Sequence, residues 1–360
     1  MKQDFFHERY RGERSGSVAA ACNISENMIS IVFYDLILKR RYARSVSYGM
    51  EITAAGAWDE FRSLFVSAVM EYGVGGDIKI VGIAARFSVE SCVEGALDRS
   101  ELGIPEEAEI LFVPFISAGI SGGFMASLLT ITEDNFIAAE FGRTMYLGKY
   151  DGSVLTCAAF ALSGAFDGSG LESGMPAEKG AIDAVRRDKE GTVSYEVVGD
   201  GRSAGISPCA AAMAAVIMRR IGALDDDGIM VDRDMFYVGE DYFVSQSDIR
   251  AIQADKAGAA AAFDVFFDGN VPDLESFKAF FSGEIFSDVR GLKSLAELGA
   301  IPDCMTKAAF CRNSAEQGII LFLEDEKMRE KAYQIAESAE DITNRLLERY
   351  DELYFDHLGF

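Results

Sequence analysis

The sequence is poor in the residues that bind metals or act as general bases. It has two histidines, His7 and His357, each near one end of the chain, so histidine-based catalysis and axial ligation of a metal are nearly excluded. Its six cysteines are scattered without a Cys-x-x-Cys pair, whereas zinc and iron–sulfur sites need close pairs that converge on one metal. We therefore expect reduced, buried cysteines, no iron–sulfur cluster in this chain and no metal held by these residues.

Positive charge and long apolar runs are also scarce. The chain has 34 Lys and Arg against 58 Asp and Glu, and its formal net charge is −24, which argues against extended contact with nucleic-acid phosphates or anionic lipid. The longest apolar candidate, Pro208 to Met218, has about half of the roughly 18–20 residues that span a bilayer. The N-terminal start is charged throughout, unlike a secretory leader. These features predict a cytoplasmic protein with no nucleic-acid or membrane partner.

The length and the apolar content predict two domains, or one large domain with two lobes. Of the 360 residues, 49% are hydrophobic, which is ample for two cores. A meander of three short strands near the N-terminus precedes alternating helices and strands, and the same pattern begins again at Asn135. We predict a polar tail at 1–16, a first lobe at 17–134 and a second lobe at 135–360. Two such halves would form a cleft, the usual place for a ligand.

Three helices are predicted with defined ends. The clearest spans Ser245–Phe267, where Ser245 can cap the first turn and many alanines favour helix. An alanine-rich helix is predicted at Pro208–Ile221. One long amphipathic helix, Glu326–Leu353, is predicted to end the second lobe.

The most informative stretch is the glycine-rich segment 161–182. Gly164 and Gly168 flank one acidic residue, Asp167, and glycine lets the backbone approach a ligand or another strand closely. Such a loop can cradle phosphate or can be a run of turns, and the spacing alone leaves both readings open.

Four stretches follow one family's pattern in order: Ala165-Phe166-Asp167-Gly168 with Gly174-Met175 and Gly180-Ala181-Ile182, Pro114-Phe115-Ile116 with Gly122-Gly123, the run Gln246 to Ala257, and Leu298-Gly299-Ala300-Ile301-Pro302. Through them, residues 105 to 360 resemble the C-terminal ATPase region of the reductive activators of corrinoid proteins. That family lies in the actin-like, sugar-kinase-like ATPase superfamily. The resemblance implies an α/β, two-lobed fold with duplicated ribonuclease-H-like halves, and pairing of two chains into a homodimer is compatible with it.

The resemblance also implies a chemistry. The family couples ATP hydrolysis to the one-electron reduction of a Co(II) corrinoid to Co(I), and its members usually carry an iron–sulfur domain ahead of the ATPase region. We expect that module to be absent here, because the chain enters its first strand by about Ser17. The carboxylates implied as catalytic are Glu140 and Asp167. The residues implied in holding ATP and Mg²⁺ are Gly142, Arg143, Gly164, Gly168, Gly205 and Gly283.

The nucleotide motifs depart from the family's pattern. The first-strand motif Asp-x-Gly-Thr, whose Asp holds Mg²⁺, corresponds to Ala21-Cys22-Asn23-Ile24. Arg143 replaces a small phosphate-facing hydroxyl, and it either binds an anionic ligand or forms a salt bridge. Glu284 stands in the adenosine loop, where a negative side chain would repel phosphate and crowd the base.

Three functions follow as hypotheses. The first is a pseudoenzyme that binds or regulates a corrinoid protein, its methyltransferase or a true activator in a methyl-transfer system. The second is an ATP-dependent activator of a corrinoid protein that takes electrons from an external donor. The third is a protein that holds an unrelated anionic metabolite through Arg143. Loss of the first-strand carboxylate favours the first, because removing one positioned electrostatic group commonly costs roughly 10²–10³ in rate.

Overall fold

The computed structural model of the chain describes residues 4–10, 12–48, 53–86, 98–117, 119–199, 201–231, 234–272 and 274–360. The chain divides into two compact units. The first unit comprises Met1–Thr132, Ser153–Leu155 and Ser314–Asp341, and the second comprises Glu133–Gly152, Thr156–Asn313 and Ile342–Phe360. The predicted boundary near residue 134 therefore lies close to the first crossing, but the segment 314–341 returns to the first unit.

The strands in chain order are β1 (Asp4–Arg9), β2 (Val18–Ile24), β3 (Met28–Asp35), β4 (Arg40–Tyr48), β5 (Ile78–Ala85), β6 (Glu109–Phe112), β7 (Phe136–Glu140), β8 (Thr144–Tyr150), β9 (Leu155–Ala161), β10 (Ala181–Arg187), β11 (Val193–Val197), β12 (Gly205–Ile206), β13 (Met235–Tyr237), β14 (Phe243–Ser245), β15 (Lys278–Ser282), β16 (Ala309–Cys311) and β17 (Glu340–Asp341). The α-helices are α1 (Ala54–Tyr72), α2 (Arg99–Leu102), α3 (Gly122–Leu128), α4 (Pro208–Arg220), α5 (Gln246–Phe266), α6 (Val289–Leu298), α7 (Ser314–Glu324), α8 (Glu326–Ser338) and α9 (Thr343–Asp356).

Both units are built around a sheet with the same strand order. In the first unit the order is β1-β4-β3-β2-β5-β6, and in the second the strands β16-β15-β7-β8-β9 follow one another. Each sheet begins with an antiparallel hairpin, β2–β3 or β7–β8, and continues with two strands parallel to the first strand of that hairpin. Without the edge strand β1, both sheets have the order of a ribonuclease-H-like fold, which confirms the predicted duplication.

The first unit buries helices against its sheet. Helix α1 is capped by Thr53 and packs Phe61 and Phe65, both fully buried, into the core with Phe33 of β3. Helix α7 packs so closely that a Cβ on Gly82 of β5 would lie 2.8 Å from Ile319. The close approach of α7 to this sheet explains why the chain needs glycine at Gly82.

Two elements differ from the sequence prediction. The segment 1–16, expected to be a polar tail, contains β1, which pairs antiparallel with β4. The single helix expected over Glu326–Leu353 is wrong, because α8 ends at Ala339, whose backbone is extended (φ −74°, ψ 136°). The chain then joins the second unit, where the Ile342 amide donates to the Cys157 carbonyl over 2.9 Å.

The other two predicted helices are confirmed. Helix α5 begins after Ser245, whose side chain accepts from the Asp248 amide while the Asp248 carboxylate accepts from the Ser245 amide. Helix α4 begins after Ser207 with proline in its first turn. Among the described residues, no helix is long and apolar enough to cross a membrane.

Candidate functional site

A cluster of buried phenylalanines brings three of the predicted nucleotide loops of the second unit together. Phe141 follows the end of β7, and its ring centroid lies 6.2 Å from that of Phe166 in the glycine-rich segment. It also lies 5.7 Å from the ring of Phe281 in β15 and 5.2 Å from that of Phe286 in the following loop. All four rings are at most 1% exposed. The hydrophobic effect therefore fixes the mutual positions of these loops without any ligand.

The turn between β7 and β8 carries three of the predicted site residues. Glu140 is the last residue of β7 and lies beside Ser282 of the parallel strand β15. A Cβ on Gly142 would lie 3.4 Å from the Thr144 carbonyl oxygen and would meet Thr144 alone, so a side chain could be accommodated at this position. Arg143 is half-buried and lies against Gly164. The structure thus brings Glu140, Gly142 and Arg143 to one end of the sheet.

The glycines of the glycine-rich segment are required by the packing of the loop on itself. Gly164 and Gly168 have φ values of 94° and 86°, a region that favours glycine. A Cβ on Gly168 would lie 3.3 Å from the Met175 amide nitrogen, and one on Gly164 would lie 3.1 Å from the Gly170 nitrogen. These positions are explained by a tight run of turns, which is the simpler of the two readings that the spacing leaves open.

Asp255 of α5 anchors the start of this loop. Its side chain is fully buried and accepts hydrogen bonds from the Ser163 hydroxyl at 2.6 Å and the Phe166 amide at 3.0 Å, and also from the Ser163 amide. Burial raises the pKa of Asp255 to about 6, against the opposing effect of these hydrogen bonds. Sequence reasoning assigned no role to Asp255.

Asp167 is turned into the loop. Its Oδ1 accepts from the Ser169 amide at 2.8 Å and from the Ser169 hydroxyl at 2.6 Å, while its Oδ2 is buried with no hydrogen-bond partner in the described part of the chain. Burial raises the pKa of Asp167 to about 7, Asp255 adds to this, and Arg143 opposes it. In this structure the carboxyl of Asp167 therefore serves the loop through Ser169, and its second oxygen lies buried beside it.

The raised pKa of Asp167 predicts a pH-dependent stability. Because the folded pKa lies above the ordinary 3.8, the stability is fully present below that value and falls as pH rises through about 7. An Asp167→Asn variant keeps an oxygen for both Ser169 hydrogen bonds and cannot ionise. It should exceed the wild type in unfolding free energy by on the order of 3 kcal/mol at about pH 8 and match it at about pH 4. Urea unfolding at both pH values measures this, and parallel pH profiles would contradict it.

The two remaining predicted glycines are also structural. Gly205 of β12 pairs with Ala181 of β10, and a Cβ there would lie 2.8 Å from the Ser173 carbonyl oxygen. Gly283 has φ 131°, and a Cβ on it would overlap the Phe141 carbonyl oxygen. Both glycines allow backbone segments to meet, and this packing accounts for them without a nucleotide.

Glu284, expected to repel a nucleotide, is instead satisfied internally. It is 7% exposed, and its Oε2 accepts from the Ala177 amide at 3.1 Å. The Arg312 guanidinium lies 3.8 Å from Glu284 and 3.3 Å from Glu178, and it donates to the Ala177 carbonyl. These contacts join the loop after β15 to the end of the glycine-rich segment. Arg312 was missed from the sequence because it lies 28 residues beyond the loop that it closes.

The corresponding hairpin of the first unit has no acidic residue at its strand end. The β2–β3 turn has the same length as the β7–β8 turn. When the two turns are superimposed by length, Ile24, and not Ala21, corresponds to Glu140. Ile24 is fully buried, and the turn is closed by Ser25, whose amide donates to the Met28 carbonyl at 2.8 Å. Matching the family motif to Ala21 therefore placed the end of β2 three residues too early. Neither Ala21 nor Ile24 has a carboxylate, so the strand end lacks one with either assignment.

Comparisons with known proteins agree with the fold. A family model described as the C-terminal domain of RACo, the ASKHA domain, matches residues 144–360. The chain is similar to a solved structure described as a reductive activator for corrinoid, iron-sulfur protein, with a TM-score of 0.79 and 17% identity over 97% of this chain and 67% of that chain. The fold is thus the predicted actin-like, sugar-kinase-like α/β fold.

Other solved structures are more distant. Ethanolamine utilization protein EutJ from Carboxydothermus hydrogenoformans has a TM-score of 0.39 and 9% identity over 85% of this chain and 89% of that chain. The activator of the 2-hydroxyisocaproyl-CoA dehydratase from Clostridium difficile, with bound ADPNP, has a TM-score of 0.36 and 9% identity over 88% of this chain and 98% of that chain. No curated protein matches the sequence.

Proposed function

The chain belongs to the family of the C-terminal ASKHA domain of RACo, and from this premise we propose that it is a binding or regulatory partner in a corrinoid-dependent methyl-transfer system. In this proposal it keeps the scaffold of the reductive activators but does not turn over ATP. Its partner is a corrinoid protein, the methyltransferase of that protein, or a catalytically competent activator.

The inward position of Asp167 carries this proposal. Metal-assisted phosphoryl transfer needs an ionised carboxylate that reaches the metal or its waters. Asp167 is 5% exposed, has a raised pKa and uses one oxygen to hold Ser169. A group in this position holds Ser169 and is shielded from solvent, which supports a structural role for it.

The loop after β15 supports the same proposal. In the family this loop is rich in glycine, so that its backbone can approach the nucleotide. Here Glu284 fills part of the loop and is paired with Arg312. Displacing the buried Glu284 carboxylate would cost it the nearby Arg312 charge and the hydrogen bond from the Ala177 amide, although Arg312 would keep Glu178.

Calorimetry with ATP and ADP, with and without Mg²⁺, tests whether the nucleotide loops still bind the nucleotide that turnover requires. We expect no Mg²⁺-dependent heat at millimolar nucleotide. A Glu284→Gly variant restores the glycine of the family pattern and leaves Glu178 to pair with Arg312, so it is the matched control for a blocked loop. Micromolar, Mg²⁺-dependent binding of ATP to the wild type would contradict the proposal.

Binding to a purified corrinoid protein tests the partner role. The corrinoid protein encoded nearest to this chain would be titrated in its Co(II) state without nucleotide, followed by its methyltransferase and its activator. We expect saturable binding to one of the three. Binding that appears only with ATP, or binding to none of them, would contradict the proposal independently of the calorimetry.

A second candidate is an ATP-dependent activator that takes electrons from a separate donor. The observation that favours it is the turn after β7, where Glu140 is followed by Gly142, a glycine that no close contact requires. If ATP binds, Glu140→Gln is the first variant to examine, because it removes the charge while keeping the shape of the side chain.

A further inference from the structure

A groove lies on the second unit between α4, α6 and β10, separate from the loops described above. Each helix lines the groove with residues at the i, i+3, i+4 and i+7 spacing of one helix face, some exposed and some buried. These residues are Met213, Val216, Ile217 and Arg220 on α4 and Arg290, Lys293, Ser294 and Glu297 on α6. The volume of the groove is about 390 Å³, within the range of sites for small molecules.

The floor of the groove is apolar. Val185 of β10 and Val216 of α4 are 1% and 6% exposed, and both line the groove together with Met213 and Ile217. A ligand that contacts this floor would remove water chiefly from Met213 and Ile217, the two partly exposed side chains, and removal of water from apolar surface is the main source of affinity in such sites.

The rim of the groove is basic although the chain as a whole is strongly acidic. Five cations line it: Arg186, Arg187, Arg220, Arg290 and Lys293. Three of them have carboxylate partners: Arg186 and Arg290 each contact Glu196, at 2.7 Å and 2.9 Å, and Arg220 binds Glu297 at 2.6 Å. Arg187 and Lys293 have no carboxylate partner among the described residues.

We propose that this groove binds a small organic anion whose apolar body lies on Val185, Met213, Val216 and Ile217 and whose charged group meets Arg187 and Lys293. Two unpaired cations beside an apolar floor are complementary to an amphipathic anion, such as a medium-chain carboxylate. In a chain with net charge −24, the attraction of these two cations for an anion acts only close to the groove, because the chain as a whole repels anions at longer range. The proposal does not depend on the proposed function of the nucleotide loops.

Fluorescence of 1-anilinonaphthalene-8-sulfonate, an amphipathic anion, tests the groove on the full chain. We expect binding of one probe per chain, displacement by octanoate, and no displacement by octanol, which lacks the charge. The double variant Arg187→Glu/Lys293→Glu should weaken the binding by roughly tenfold or more, because each attractive contact becomes repulsive. Both side chains are exposed, so the fold should be unaffected, and circular dichroism would verify this.

A control variant with the same change in net charge separates a local effect at the groove from a general electrostatic effect. Lys278→Glu/Lys307→Glu changes the net charge by the same amount at two other exposed lysines of the second unit, and it should leave the affinity within about twofold. Equal weakening in both double variants, or no binding of the probe, would overturn the proposal. Displacement by ATP would assign the groove to nucleotide, and displacement by polyglutamate but not octanoate would assign it to an acidic protein segment.

Discussion

Replacing Glu316 with glutamine is expected to lower the free energy of unfolding by about 3–5 kcal/mol, because it leaves a buried guanidinium without its counter-ion. Arg44 of β4 and Glu316 of α7 are 3% and 2% exposed, and Nε and Nη2 of Arg44 lie 2.9 Å and 2.8 Å from the same carboxylate oxygen. Both groups belong to the first unit, so the pair fastens the returning segment 314–341 to that unit. Urea unfolding near neutral pH measures the loss.

Two controls separate the buried charge from other effects of the Glu316 substitution. Glu324→Gln removes the partner of Lys39 in a pair whose lysine is 61% exposed, and such pairs contribute at most about 1 kcal/mol. The double variant Arg44→Leu/Glu316→Leu removes both charges and should recover most of the stability. A loss in Glu316→Gln no larger than that in Glu324→Gln would contradict the expectation.

The Glu316 pair also has a defined pH dependence. Burial pushes the pKa of Glu316 upward, but the charge and hydrogen bonds of Arg44 outweigh burial and hold the pKa below the ordinary 4.5. The stabilisation is therefore present above pH 4.5 and is lost as pH falls through the lower, folded-state pKa. The difference between wild type and Glu316→Gln should shrink only in acid.

Replacing Asp255 with alanine is expected to cost about 3 kcal/mol or more, because it leaves the Ser163 amide, the Ser163 hydroxyl and the Phe166 amide without their common acceptor. The loss of stability should be concentrated in the glycine-rich segment, because these donors lie at its start. Hydrogen exchange at the Ser163 and Phe166 amides, followed beside urea unfolding, measures both effects.

A matched control for Asp255 lies on the same helix. Asp264 of α5 pairs with His357 at 2.8 Å, and its side chain is 42% exposed, so Asp264→Ala should cost less than about 1 kcal/mol. If Asp255→Ala leaves amide exchange in the glycine-rich segment unchanged, the loop is held by the phenylalanine cluster alone and the anchoring role of Asp255 is refuted.

The sequence predicts those parts of the fold that depend on local pattern. Ser245 and Asp248 form a capping box, and alanines fill the helix behind it, so α5 can be read from neighbouring residues. The break at Ala339 could not be predicted, since α8 and α9 both have amphipathic patterns and the backbone leaves the helix only where the chain joins the other unit. Propensity contains no information about such a long-range connection.

In the candidate site, too, local sequence patterns predict some features and tertiary contacts determine the others. Glycine spacing identified the segment around Asp167, because turns with positive φ select glycine wherever they occur. The anchoring of this segment depends on α5, whose Asp255 lies 88 residues beyond Asp167 and binds Ser163. The pairing of Glu284 with Arg312 is likewise a tertiary contact between residues that have no sequence pattern in common.

The path of the chain through its two units limits how the protein can be divided. The first unit is completed only by Ser314–Asp341, after the second unit has been almost entirely synthesised, and the second is completed only by Ile342–Phe360. Ribosomal synthesis therefore cannot release a finished first unit while the second is still being made. A gene fragment that stops at Asn313 would encode β2 and β5 without the helix that covers them, and an exposed apolar sheet of this kind favours aggregation over folding.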